Sequence, residues 1–146
     1  MFKHILLASD GSEASRHAAH MAVGLARAHA ASLTAVFVVD PYPYLGLGQT
    51  NPLGFPGYMA QAHDHAAQVH TEIEALCRAQ APGLNLQLRL VEDVAPADGI
   101  VQTAKTEGAD LIVIGSHGRS GLTRLMLGSV ANKVVAQSLV PVLVTR

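Results

Sequence analysis

Two short stretches hold residues whose types and spacing suit the capture of an anionic ligand. The richer one reads Gly115-Ser116-His117-Gly118-Arg119-Ser120-Gly121, then Leu122 to Leu127, then Gly128-Ser129-Val130-Ala131. Glycine lets main-chain amides approach a ligand with no Cβ in the way, and Gly128-Ser129 stands where a helix is expected to begin. A helix start presents unpaired N–H groups and the positive end of the peptide dipoles, and both favour phosphate. Neither a Walker A loop nor a GxGxxG fingerprint after the first strand is present. Arg119 and Arg124 are the nearby cations that could serve a terminal phosphate in place of the P-loop lysine. Glycines so placed can also build nothing more than a tight strand-to-helix turn, although a cluster this dense is unusual in a plain turn of that kind.

The second stretch is Ala8-Ser9-Asp10-Gly11-Ser12-Glu13. Asp10 can accept from a ribose hydroxyl or an adenine amine, as acidic residues do in other nucleotide-binding α/β folds. It or Ser12 can instead cap the helix that follows. Val38-Val39-Asp40 offers apolar surface and main-chain groups to flank a purine. No Ser-His-Asp set has nucleophile-elbow spacing and no motif supplies a general base for attack on phosphate, so no catalytic residue is assigned. Histidines stand at 4, 17, 20, 29, 63, 65, 70 and 117. His63-x-His65 has the look of a metal pair, but residues two apart on a helix point to different faces, and no Cys or carboxylate set completes a tetrahedral site. No metal ligand is assigned. The histidines other than His117 are expected on solvated helix faces.

These residues need elements to position them. Five apolar runs, Ile5 to Ala8, Leu33 to Val39, Leu86 to Val91, Leu111 to Ile114 and Val142 to Val144, read as strands covered on both faces. Helical spacing fills the intervals at Ser12 to Ala30, Gln61 to Ala79, Pro96 to Glu107 and Ser129 to Ser138. The alternation predicts an α/β fold with an open five-stranded parallel sheet, Rossmann-like, helices on both faces and strand order 3-2-1-4-5. Such sheets bind ligands outside the carboxyl ends of their strands, where both stretches fall. Pro41 to Tyr58, with four prolines, four glycines and three tyrosines, interrupts the rhythm. It is expected to be a loop insertion, either a lid over the crevice or an ordinary surface loop.

A chain of 146 residues, 49% of them hydrophobic, builds one core, so a single domain over 1–146 is expected. The net charge of −1 gives no general attraction to nucleic acid or to an anionic membrane. Cys77 stands alone, which excludes an internal disulfide. The apolar runs have strand length and the start of the chain lacks a signal-peptide pattern, so a soluble, cytoplasmic protein is expected.

The spacing Gly115-x2-Gly118-x9-Gly128-Ser129 follows Ala109-Asp110-Leu111-Ile112-Val113-Ile114 and precedes Val130-Ala131 and Pro141-Val142-Leu143-Val144. With the opening Ile5-Leu6-Leu7-Ala8-Ser9-Asp10-Gly11-Ser12, it resembles the ATP-binding branch of the universal stress protein family over nearly the whole chain. The resemblance implies ATP, or ADP or AMP, with a divalent ion such as Mg²⁺ held mainly through phosphate oxygens. By position, Asp10 would hold the ribose or adenine edge, and the main chain around Ala8 and Val38 would meet the adenine. Ile114, Gly115, His117 and Gly118 would line the ribose and phosphates. Gly128, Ser129, Val130 and Ala131 would complete the cradle with amides, Ser129 adding its hydroxyl. Ala131 stands where some members carry a hydroxyl, so one phosphate contact is expected to be missing.

The resemblance also implies a homodimer through antiparallel pairing of the last strand, Pro141 to Thr145, which would close a Val-rich edge. The function implied is a nucleotide-dependent regulatory or stress-response module. The alternatives are a slow ATPase or phosphotransfer enzyme, and an interaction dimer with an empty cleft.

Overall fold

Strands that are apolar on both sides must be covered on both sides, and the chain meets this by sending its first two helices to one face of the sheet and its last two to the other. In the computed structural model, which describes residues 1–41, 54–117 and 126–146, the order is β1 (His4–Ala8), α1 (Glu13–His29), β2 (Ser32–Val38), α2 (Gly54–Gln80), β3 (Leu86–Val91), α3 (Pro96–Glu107), β4 (Leu111–Gly115), α4 (Ser129–Gln137) and β5 (Val142–Thr145). The sheet is parallel throughout, in the order β3-β2-β1-β4-β5. The expected fold class and strand order are those observed.

Alternate residues of each strand feed separate cores, as the two-residue period requires. Ile5, Leu7, Leu33, Ala35, Phe37, Leu111 and Val113 pack under α1 and α2. Leu6, Ala8, Val36, Ile112 and Ile114 pack under α3 and α4. Among the described residues no helix is long and apolar enough to cross a membrane.

Helix α2 begins at Gly54, seven residues before the expected start, so residues 54–58 of the expected loop are helical. Pro56 marks no break there because it lies in the first turn, where no intrahelical N–H bond is required of it. The rest of that expected insertion, 42–53, lies outside the described residues.

Two local constraints hold the sheet to its neighbours. A Cβ on Gly115 would come within 2.7 Å of the Ala14 carbonyl carbon and 2.9 Å of its Cβ, so α1 crosses the end of β4 at a distance that only glycine permits. At the opposite end of the sheet, Asp110 accepts from the amides of Lys3 at 2.8 Å and His4 at 3.1 Å, fastening the entry to β4 beside the start of β1. Burial raises the Asp110 pKa, but those amides more than reverse the effect and hold it below the usual carboxylate value.

Gly115→Ala is expected to destabilise the fold by about 2 kcal/mol through overpacking against backbone. A urea unfolding curve should show the midpoint falling at constant slope; an unmoved midpoint would mean that α1 yields freely. Asp110→Asn is expected to be less stable than the native chain by about 1 kcal/mol near neutral pH, the low end for bonds to a charged group because solvent screens it. A carboxyl with a depressed folded pKa contributes stability above its unfolded pKa of about 3.9, and that contribution is lost as pH falls through the folded value. The gap between the two proteins should therefore close on acidification below about pH 4, as followed by urea unfolding at a series of pH values.

Candidate functional site

Strand order turns back between β1 and β4, and a cleft of about 210 Å³ opens there, outside the carboxyl ends of β1, β2 and β4. Ala8, Val36, Val38, Ile100 and Ile114 give it an apolar middle. Val38 is held by close packing on α3, where Gly99 leaves room: a Cβ at Gly99 would approach the Val38 methyls to 3.0 Å.

Two carboxylates mark one part of the rim. Asp10 lies just past β1 and Asp40 just past β2, and both line the cleft. The choice between Asp10 and Ser12 as helix cap is resolved by geometry. The Ser12 Oγ accepts from the Ser15 amide at 3.2 Å and is the N-cap of α1. Asp10 Oδ1 accepts from the Ser12 amide at 2.9 Å, an Asx-type turn that sets the carboxylate at the cleft's edge.

The other part of the rim is the start of α4. Ser129, Val130 and Ala131 are its first three residues, and their amides have no acceptor among the described residues. Gly128 behaves differently from expectation. Its N–H donates to the Ser116 carbonyl at 2.7 Å, so this amide already has a main-chain acceptor. A Cβ on Gly128 would stand 2.8 Å from the same carbonyl oxygen, so the glycine serves this backbone contact. The Ala131 side chain, 3% exposed, lies in the core beneath the cleft, and a hydroxyl there would need a buried partner. Ser116 is also buried, and its Oγ lies 2.8 Å from His117 Nδ1. The His117 carbonyl accepts from Ser12 Oγ at 3.3 Å, which joins the two stretches across the crevice.

Ten of the twelve residues singled out in the sequence, Ala8, Asp10, Val38, Ile114, Gly115, His117, Gly128, Ser129, Val130 and Ala131, thus border one cleft. Gly118 and Arg119, like Arg124, lie outside the described residues. Ser9 borders it beside Asp10, in the second stretch, and Ser15, Pro96 and Ile100 also border it but carried no signal of their own, since only the crossing of α1 and α3 over the strand ends brings them there.

The expectation for the remaining histidines fails at His4, His65 and His70, and His29 too is partly withdrawn from water against the Phe2 ring. His4 is fixed between Thr34 Oγ1 and Ser32 Oγ, both at 2.8 Å. His65 contacts the Asp10 carbonyl. His70 is half-buried, with its Nε2 lacking a hydrogen-bond partner among the described residues. Burial pushes its pKa down, and the nearby Glu74 only partly offsets this. Helical spacing reports the face a residue occupies and says nothing of the loop lying against that face.

A profile described as the universal stress protein family matches residues 1–146. A Thermus aquaticus universal stress protein, named for its place 3′ of a QAH/OAS sulfhydrylase gene, is 40% identical, and the alignment covers all of both chains. Among solved structures, the universal stress protein UspA from Lactobacillus plantarum superposes with a TM-score of 0.81 at 30% identity, over 99% of this chain and 97% of that one. A universal stress protein solved in complex with cAMP superposes with a TM-score of 0.73 at 27% identity, over 99% of this chain and 97% of that one. With the family pattern matched from end to end and the same fold in its relatives, this chain belongs to the universal stress protein family.

Proposed function

We propose that this chain is a cytoplasmic regulatory module that retains an adenine nucleotide in the cleft at the ends of β1, β2 and β4. The observation that carries the reading is the cleft's polarity: open amides at the start of α4 on one side, two carboxylates on the other, and an apolar floor between them. An adenine nucleotide has the matching parts. Its phosphates suit the amides of Ser129, Val130 and Ala131, its ribose hydroxyls or amine suit Asp10, and its flat ring suits Ala8, Val38 and Ile114. The cAMP complex of a relative with this fold supports the choice of adenine over other bases. When ATP is bound, Mg²⁺ would be held chiefly by phosphate oxygens, its remaining positions filled by water.

Retention is favoured over turnover. Phosphoryl transfer needs a positioned nucleophile and dense charge stabilisation of the transferred group. The described part of the cleft supplies amides, and the Ser116 hydroxyl and His117 Nδ1 are engaged with each other at its wall. In the proposed module, occupancy is read by a partner protein, and the chain works as a homodimer through β5. The outer edge of that strand supports the second point. Pro141 and Thr145 carbonyls accept from β4, so alternation turns the main-chain groups of Val142 and Val144 outward. Leu139 beside it is 94% exposed.

Denaturing extraction of the freshly purified protein is expected to release adenine nucleotide, and titration calorimetry to detect Mg-ATP. Ser129→Asp should weaken that binding by at least about tenfold, because a carboxylate at the helix start repels phosphate while suiting the helix dipole, which leaves the fold intact. If nothing is extracted and no ATP binds at millimolar concentration, the cleft is empty by design and the interaction dimer is the better account. Val144→Pro removes an outward N–H and leaves the β4 ladder alone. By sedimentation velocity it is expected to convert a dimer to a folded monomer; a dimer that persists would place the interface elsewhere.

A further inference from the structure

We propose that one face of α2, through His65 and Tyr58, is the positioning device for the carboxylate side of the cleft. The inference rests on the reading of that cleft as an adenine nucleotide site. His65 and Tyr58 are seven residues apart on α2, two turns along one face. Tyr58 donates its hydroxyl to the Asp40 carbonyl at 2.8 Å. His65 Nε2 lies 2.9 Å from the Asp10 carbonyl, and because a carbonyl only accepts, that nitrogen carries the proton and donates it. The helix therefore holds the main chain of both acidic residues through side-chain donors.

The His65 contact is built to a close tolerance. Its ring stands edge-on to Phe37 with 5.5 Å between centroids, and Phe37 is fully buried in β2. On its other side lies Gly11, in the left-handed region at φ +82, where a Cβ would come within 2.8 Å of ring atoms Cε1 and Nε2. Ring and turn thus fit only because residue 11 has no side chain. His65 does not border the cleft. Its effect on a ligand passes through Asp10, whose Oδ1 takes the Ser12 amide while its carbonyl rests on the imidazole. If the carbonyl loses its donor, the turn is free to rotate and the carboxylate loses its place.

The test compares the native chain with His65→Leu, His65→Gln and Tyr58→Phe. AMP is the probe, since with one phosphate its binding leans on the nucleoside. Hydrogen exchange at the Ser12 amide reads the turn directly, with the Val113 amide as the core reference. His65→Leu is expected to weaken AMP binding about tenfold and to speed exchange at Ser12 but not at Val113. His65→Gln, which keeps a donor, should restore both, and Tyr58→Phe should weaken AMP binding with the exchange at Ser12 unchanged. Native AMP affinity in His65→Leu, or equal acceleration at Ser12 and Val113, would overturn the proposal, the latter because it reports general loosening. If the native chain binds no AMP, the nucleotide reading fails by itself. The exchange data then decide whether His65 sets the turn, and an unchanged Ser12 rate in His65→Leu would dismiss it.

Discussion

The peptide groups flanking Ser116 are the joint on which the site depends. The Ser116 N–H donates to Thr145 at 2.6 Å and its carbonyl accepts from Gly128 at 2.7 Å, so the end of β4, the end of β5 and the start of α4 meet at one buried residue. A buried peptide must satisfy both of its polar groups, and this one does so by recruiting two elements that lie far from it in sequence. One residue earlier, Gly115 brings α1 onto the same spot through Ala14. Thr145 Oγ1 reaches the Ala14 carbonyl at 3.4 Å from the other side. Four elements are thereby fixed around the crevice, and the helix start that faces it is held by backbone contacts independent of any ligand.

That joint changes what the glycines mean. In the sequence, Gly115 and Gly128 look like places where a ligand comes close, and each is in fact a place where another piece of backbone comes close. The two roles are linked, because the backbone approach is what puts the open amides of Ser129 to Ala131 at the cleft. Legibility therefore differed by kind of interaction. Strand order and the two-faced sheet follow from apolar periodicity, which is a property of each segment alone, and these were readable. The start of α2 was hidden because Pro56 and the neighbouring glycines carry a breaker's signal even where a first turn tolerates them. His65 was hidden because its partner, the Asp10 carbonyl, lies 55 positions away and is a main-chain atom that leaves no mark on the sequence.

The histidines sharpen the distinction. His4, His65 and His70 sit on faces that composition alone would call polar, and each is partly withdrawn from water. His4 and His65 find partners for the ring nitrogens that burial strips of solvent. His70 Nε2 has none among the described residues, and burial pulls its pKa down, which favours the neutral ring, the form whose burial is least unfavourable. Through His65, the histidine-bearing helix α2 is thus also a packing surface for the loop that follows β1.

The net charge of −1 has a consequence for how such a cleft can select its ligand. A chain without a strong overall field does not steer an anion from a distance, so discrimination must arise at short range. Short-range selection needs groups of fixed direction, because a dipole or carboxylate that swings loses its preference for one ligand geometry. Both halves of the rim meet that condition by main-chain means. The amide half is fixed through Ser116 and Gly128, and the carboxylate half by the Ser12 amide on Asp10 and by α2 against the carbonyls of Asp10 and Asp40. The apolar floor between them lowers the local dielectric and strengthens each of these fixed interactions. On the proposed reading, selectivity in this cleft would be a property of how rigidly the strand ends are tied to their helices, which would make α1, α2 and α4 part of the recognition apparatus even where their side chains do not reach the ligand.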